Sequence, residues 1–322
     1  MTSYILLIIG FALLVKGADI LVDGATSVAR RFGVSDLVIG LTVVSIGSSS
    51  PELIVNVIAS LRGNTDLAVG NILGSNTANI LLGLGVAAII YNLKVQKSTV
   101  WKEIPFSLLA VLVMAVLAND ALLDGRALSA ITRGDGLVFL SFFLIFFYYV
   151  YSLGKAGNES EKDEGERNGK KRSMATALLM VAGGGIGLTL GGKWVVDGAV
   201  VIGKGLGASE ALMGLTVVAI GTSLPEIATS AIAAYRKSAD IAVGNVVGSN
   251  IFNIFWVLGL ASLIRPIPFS PALNTDIIMV ILATTLLFII LFVGRRHTIA
   301  RWEGGGFIVL YAAYLAYLIH RG

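Results

Sequence analysis

The chain has 322 residues, 56% of them hydrophobic and only 14% charged, where soluble domains carry roughly 25% charged residues, so a water-soluble globular protein is excluded. Its formal charge of +4, from 24 basic and 20 acidic residues spread over the connections, leaves no nucleic-acid footprint. With no cysteine and two histidines, disulfides and thiolate ligands are excluded and a His-built metal site is disfavoured, so any metal held here is held by oxygen.

Apolar stretches of about 20 residues, enough to cross a hydrocarbon core of about 30 Å, recur along almost the whole sequence. In chain order they predict ten spans, at 3–29, 37–61, 67–91, 104–122, 136–153, 175–203, 211–235, 241–264, 273–294 and 303–320. The first has no basic segment ahead of it and reads as a retained span, not a cleaved signal. Between the fifth and sixth lies the long polar stretch GKAGNESEKDEGERNGKKRS, which has almost nothing to bury. It divides the chain into a first five-helix half (1–153), a linker (154–174) and a second half (175–322). Basic residues cluster in alternate connections: Arg30 and Arg31; Lys94, Lys97 and Lys102; the linker; Arg236 and Lys237; and Arg295, Arg296 and Arg301. These faces are expected to be cytoplasmic, with both termini outside.

The halves repeat. GLTVVSIGSSSPE (40–52) returns as GLTVVAIGTSLPE (214–226), and DLAVGNILGSNTANI (66–80) as DIAVGNVVGSNIFNI (240–254), at constant offset; Asp23 returns as Asp197. Five spans per half means that each motif enters the bilayer from opposite sides, the inverted-repeat plan of secondary transporters. The fold expected is therefore an all-α membrane protein of ten transmembrane helices in two inverted five-helix repeats.

Glu52 and Glu226 lie in mid-span, where a carboxylate is costly unless it meets a cavity, a partner or an ion. Pro51 and Pro225 supply no N–H to the carbonyls of Gly47 and Gly221, which loosens the turn beside each glutamate. Ser45, Ser49, Glu52 and Asn56 fall at i, i+4, i+7 and i+11, as do Ala219, Ser223, Glu226 and Ser230, so one polar stripe runs down each helix. Asn71, Ser75 and Asn79, matched by Asn245, Ser249 and Asn253, form stripes on the next helices. Four facing stripes make an oxygen-rich box around two carboxylates, although interhelical hydrogen bonding is the commoner use of the Asn and Ser stripes taken alone. Gly70, Gly74, Gly244 and Gly248, and the cluster Gly183, Gly187 and Gly191, suit close helix packing. Asp36, Asp66, Glu210 and Asp240 read as acidic first turns of helices. Asp23 and Asp197 suit pairing or gating.

The paired G-[ST]-S-x-P-E and GN-x-x-GSN-x-x-N motifs resemble the alpha repeats of the sodium/calcium exchangers in the cation/calcium exchanger superfamily, and the size and short linker resemble its prokaryotic members. The resemblance implies antiport of Ca²⁺ against Na⁺ by alternating access, with the first and sixth helices sliding past a fixed core. It implies that Glu52, Glu226, Ser48 and Thr222 bind calcium, and that sodium uses these with Ser49, Ser223, Ser75, Ser249 and the carbonyls of Ser45 and Ala219. Asn79 and Asn253 would line the centre. Some relatives have Asp where this chain has Asn253, and Ser48 replaces the usual Thr. The Pro-Glu step in both halves favours sodium coupling. A calcium/proton antiporter is the alternative, ahead of a cation channel or a membrane enzyme. No cofactor is expected beyond the transported Ca²⁺ and Na⁺. The partner expected is the lipid bilayer of a cell membrane; no protein partner is indicated.

Overall fold

A computed structural model describes residues 2–62, 65–125, 127–160, 173–205 and 219–321. In chain order the principal helices are α1 (Thr2–Phe32), α2 (Asp36–Ser48), α3 (Ser50–Arg62), α4 (65–90), α5 (Thr99–Leu117), α6 (Arg133–Ser160), α7 (Met174–Gly205), α8 (Leu224–Tyr235), α9 (Ala239–Ile264), α10 (Pro271–Ile290) and α11 (Arg301–Arg321). Among the described residues eight helices are long and apolar enough to cross a membrane, or nine spans if the bent pair α2 and α3 counts as one. The seventh expected span, 211–235, begins outside the described residues; its described part is the short helix Ala219–Thr222 followed by α8. Most of the linker and the expected helix start at Glu210 also lie outside them, and so does the side chain of Asp66.

Several boundaries moved: the fourth span ends at Leu117 instead of 122 and the ninth at Ile290 instead of 294. The fourth span begins at Thr99 instead of residue 104, because Glu103 is buried inside the helix, where the Tyr149 hydroxyl donates to it, and so is not a loop charge. Helix α6 runs to Ser160, past the residue 153 at which its apolar character ends.

Glycine contacts fix the relation between the halves. Gly10, Gly17 and Gly24 on α1 meet α7 near Gly191, Gly184 and Ala177 in turn. Numbers rise on one helix as they fall on the other, so these repeat mates run antiparallel, as an inverted repeat requires. A Cβ added at Gly184 would lie 2.6 Å from the Leu21 nitrogen and 2.8 Å from the Gly17 carbonyl oxygen, so the two backbones touch. Gly187 and Gly191 face α1 as expected, but Gly183 is exposed and the third contact belongs to Gly184. Gly244 and Gly248 pack on α2, where a Cβ would come within 3.1 Å of Gly40 and 2.9 Å of Leu41. At Gly70 and Gly74 an added Cβ meets no atom within 4 Å among the described residues.

Two short antiparallel ladders staple the halves. β1 (Leu93–Lys94), after α4, pairs with β4 (Thr298–Ile299), before α11; β2 (Ala130–Ile131), before α6, pairs with β3 (Ile267–Pro268), after α9. Each ladder is the repeat image of the other. Beside them the start of α6 and that of α11 are built alike: Asp135 accepts from the Thr132 amide and Glu303 from the Ala300 amide. Arg133 donates to the last carbonyls of α9, and Arg301 to Ile90 at the end of α4.

Candidate cation site

The Pro-Glu steps break their helices outright. α2 ends at Ser48, Ser49 forms the turn, and α3 departs at 48°. In the second half the break falls at Ser223. Each proline then sits in the first turn of a new helix, where its missing N–H costs nothing, and each glutamate occupies the same first turn. The positive end of a helix dipole therefore supports a carboxylate in the middle of the membrane, while the preceding half-helix aims its carbonyl end at the same place.

Around this point the expected residues converge. Ser45, Ser48, Ser49, Glu52, Ser75, Asn79, Ser223, Glu226, Ser249 and Asn253 are all fully buried, and Thr222 partly so. The bonds that join them cross between the halves. Ser49 donates to Glu226 at 2.6 Å, Ser48 to the Asn245 carbonyl oxygen at 3.0 Å, and Thr222 to that of Asn71 at 3.0 Å; Ser75 and Thr222 lie 3.3 Å apart. Ser45 accepts twice at its carbonyl, from the Ser49 amide and the Ser48 hydroxyl, whereas the Ser223 amide bonds Ile220 and bypasses Ala219.

Sequence reasoning missed the asparagines that orient the centre. Asn76 and Asn250 each donate to the other's main-chain carbonyl at 3.2 Å. The side-chain oxygen of Asn250 then accepts from Asn79, and that of Asn76 from Asn253, both at 3.1 Å. With their NH₂ groups so held, Asn79 and Asn253 are left with carbonyl oxygens that meet no donor. A π-helical stretch begins at Asn79 in the first half (Asn79–Leu84) and one residue before Asn253 in the second (Phe252–Leu258), the kind of local widening that recurs at functional sites. The available signal was the Asn of each GSN triplet, repeated in both halves but lying off the Asn-Ser-Asn stripe.

Among the described residues, the buried oxygens without a hydrogen-bond partner include both of Glu52, Oε2 of Glu226, the side-chain carbonyls of Asn79 and Asn253, and the hydroxyls of Ser223 and Ser249. Stranding so many hard oxygens together is costly, and a cation relieves it: calcium takes 6–8 oxygen ligands. The donor set fits a hard cation.

An inverted-repeat membrane protein with broken helices and buried oxygens at the seam between its halves belongs to the class of ion transporters. The sequence profile described as "Sodium/calcium exchanger protein" matches residues 2–152 and 176–320. The chain belongs to the sodium/calcium exchanger family: it is a multi-pass membrane transporter and not an enzyme. It is 41% identical to "Inner membrane protein YrbG" of Escherichia coli K12, covering 94% of each chain, and 30% identical to "Sodium/calcium exchanger MaX1" of Methanosarcina acetivorans, covering 99% of each. Its fold matches crystal structures of the sodium-calcium exchanger NCX_Mj. One, soaked with 2.5 mM Na⁺ and 0.1 mM Ca²⁺, superposes with a TM-score of 0.80 at 33% identity over 98% of both chains.

Proposed function

We propose that this transporter exchanges Ca²⁺ for Na⁺ at one mid-membrane site by alternating access. The observation that carries the proposal is the cluster of unpartnered buried oxygens around Glu52 and Glu226. Calcium would bind both carboxylates with Ser48 and Thr222. Sodium would bind the same carboxylates with Ser45, Ser48, Ser49, Ser75, Ala219, Thr222, Ser223 and Ser249, while Asn79 and Asn253 line the centre. For Ser45 this requires the Ser48 hydroxyl to turn from its carbonyl, the same rotation that frees Ser48 for an ion. Two carboxylates neutralise one Ca²⁺, so exchange is electrogenic when more than two Na⁺ replace it.

The two five-helix halves, 1–153 and 175–322, would carry one arm of the site each, joined by a cytoplasmic linker at 154–174 in a cell-membrane protein with both termini outside. Proteoliposomes loaded with Na⁺ should take up Ca²⁺, and the Glu52→Gln, Glu226→Gln double variant should not. Full uptake by that variant overturns the site. Calcium flux that follows a pH gradient and ignores sodium overturns the sodium coupling and selects proton antiport.

A further inference from the structure

Beside the arm of α2 that carries Ser45 and Ser48, a cavity opens on the flank of the molecule, about 640 Å³ in volume, within the range of about 300–1,000 Å³ of small-molecule sites. Its walls come from the end of α1 (Phe32), from α2 between Val38 and Gly47, from the last turns of α6 and from Val181 on α7. The lining is almost wholly apolar, and Phe32 is 60%, Phe147 51% and Tyr151 56% exposed, so the cavity opens sideways at the surface a bilayer covers. Val38 and Gly47 lie nine residues apart, about 14 Å along a helix, close to the depth of one leaflet of a hydrocarbon core about 30 Å thick.

One end carries charge. Lys155, in the last turns of α6, lines the mouth with its ammonium 4.9 Å from the centre of the Tyr151 ring. Arg30 and Arg31, exposed in the last turn of α1, immediately precede the lining residue Phe32. A long apolar crevice of leaflet depth with a basic rim matches a molecule with an acyl tail and an anionic head. The tail lies along α2, and the head meets a lysine whose stem reaches to the interface.

We infer that this crevice is a binding site for one anionic glycerophospholipid of the leaflet on the linker side, its acyl chain between α2, α6 and α7 and its phosphate at Lys155. The chain then lies against Gly47, two residues after Ser45, and against α7, so its presence sets how closely α7 approaches the arm of α2 that carries Ser45 and Ser48.

Native mass spectrometry of the purified full chain, mixed with phosphatidylglycerol or phosphatidylcholine, tests the inference. The wild type is expected to retain one phosphatidylglycerol about fivefold more readily than phosphatidylcholine, the ratio one basic residue near an anionic surface provides. Lys155→Gln, at an exposed position that leaves folding intact, should lower that preference while keeping the acyl-chain binding. Ile46→Trp, which fills the crevice from its exposed side, should lower retention of both. Equal retention of the two lipids by the wild type, an unchanged preference in Lys155→Gln, or undiminished retention in a folded Ile46→Trp each overturns the site.

Discussion

Whether an asparagine presents oxygen or nitrogen to a cation decides whether it helps or repels. Asn79 and Asn253 present oxygen because Asn250 and Asn76 hold their NH₂ groups. Asn250→Ala removes the acceptor, leaves the Asn79 amide free to rotate, and should raise the half-saturating Ca²⁺ concentration for uptake by about 10–100-fold, the usual cost of losing a group that orients a metal ligand. An unchanged concentration would mean that Asn79 is held by other means. Ser45, Ser49, Glu52, Ser223 and Glu226 were legible in the sequence because a stripe at i, i+4 and i+7 shares one helix face, whereas Ser48 and Thr222, off those stripes, came only from the family resemblance. Asn76 and Asn250 were not, since each acts on a residue about 171–177 positions away in the other half.

At the scale of elements, the breaks at Pro51 and Pro225 could be read directly, since proline has only a few places in a helix. Packing registers could not: one residue separates Gly183 from Gly184, and only the partner helix tells which faces it. Gly184→Ala drives a methyl into the α1 backbone and should lower stability by about 1–3 kcal/mol as overpacking does, seen as a lower apparent Tm in detergent; Gly183→Ala, on the exposed face, serves as the silent control. An equal effect of both substitutions would remove the argument for backbone contact. The ion pairs of Arg236, at the end of α8, with Asp19 and Asp23 on α1 tie the same helix to its neighbour from the other side. Their side chains are about one third exposed, so Arg236→Gln should cost under about 1 kcal/mol. Its expected signature is instead a broader distance distribution between spin labels at Val15 and Tyr235, two exposed positions in a chain with no native cysteine to interfere. An unchanged distribution would show that the pairs do not restrain α1.

For the whole molecule, the inverted plan was legible because a repeat of five spans must invert, whereas orientation rests on a weaker charge signal. Part of that signal is spent on structure: Arg301, counted among the loop charges, holds the carbonyl end of α4. A cysteine in place of exposed Ser173 should react with an impermeant maleimide in inside-out vesicles and not in intact cells; the reverse would invert the proposed topology. The asparagine bonds have a consequence of a different kind. Asn76 serves Asn253 just as Asn250 serves Asn79, so every bond from one arm has its repeat mate running back from the other, the pattern of a two-fold self-complementary interface. Such a lock needs no second key: a single five-helix chain inserted in both orientations would meet its own inverted copy with all four asparagine bonds available. Joining two copies then frees each arm to diverge, as Ser45 matched by Ala219 and Ser48 matched by Thr222 in the repeat already record.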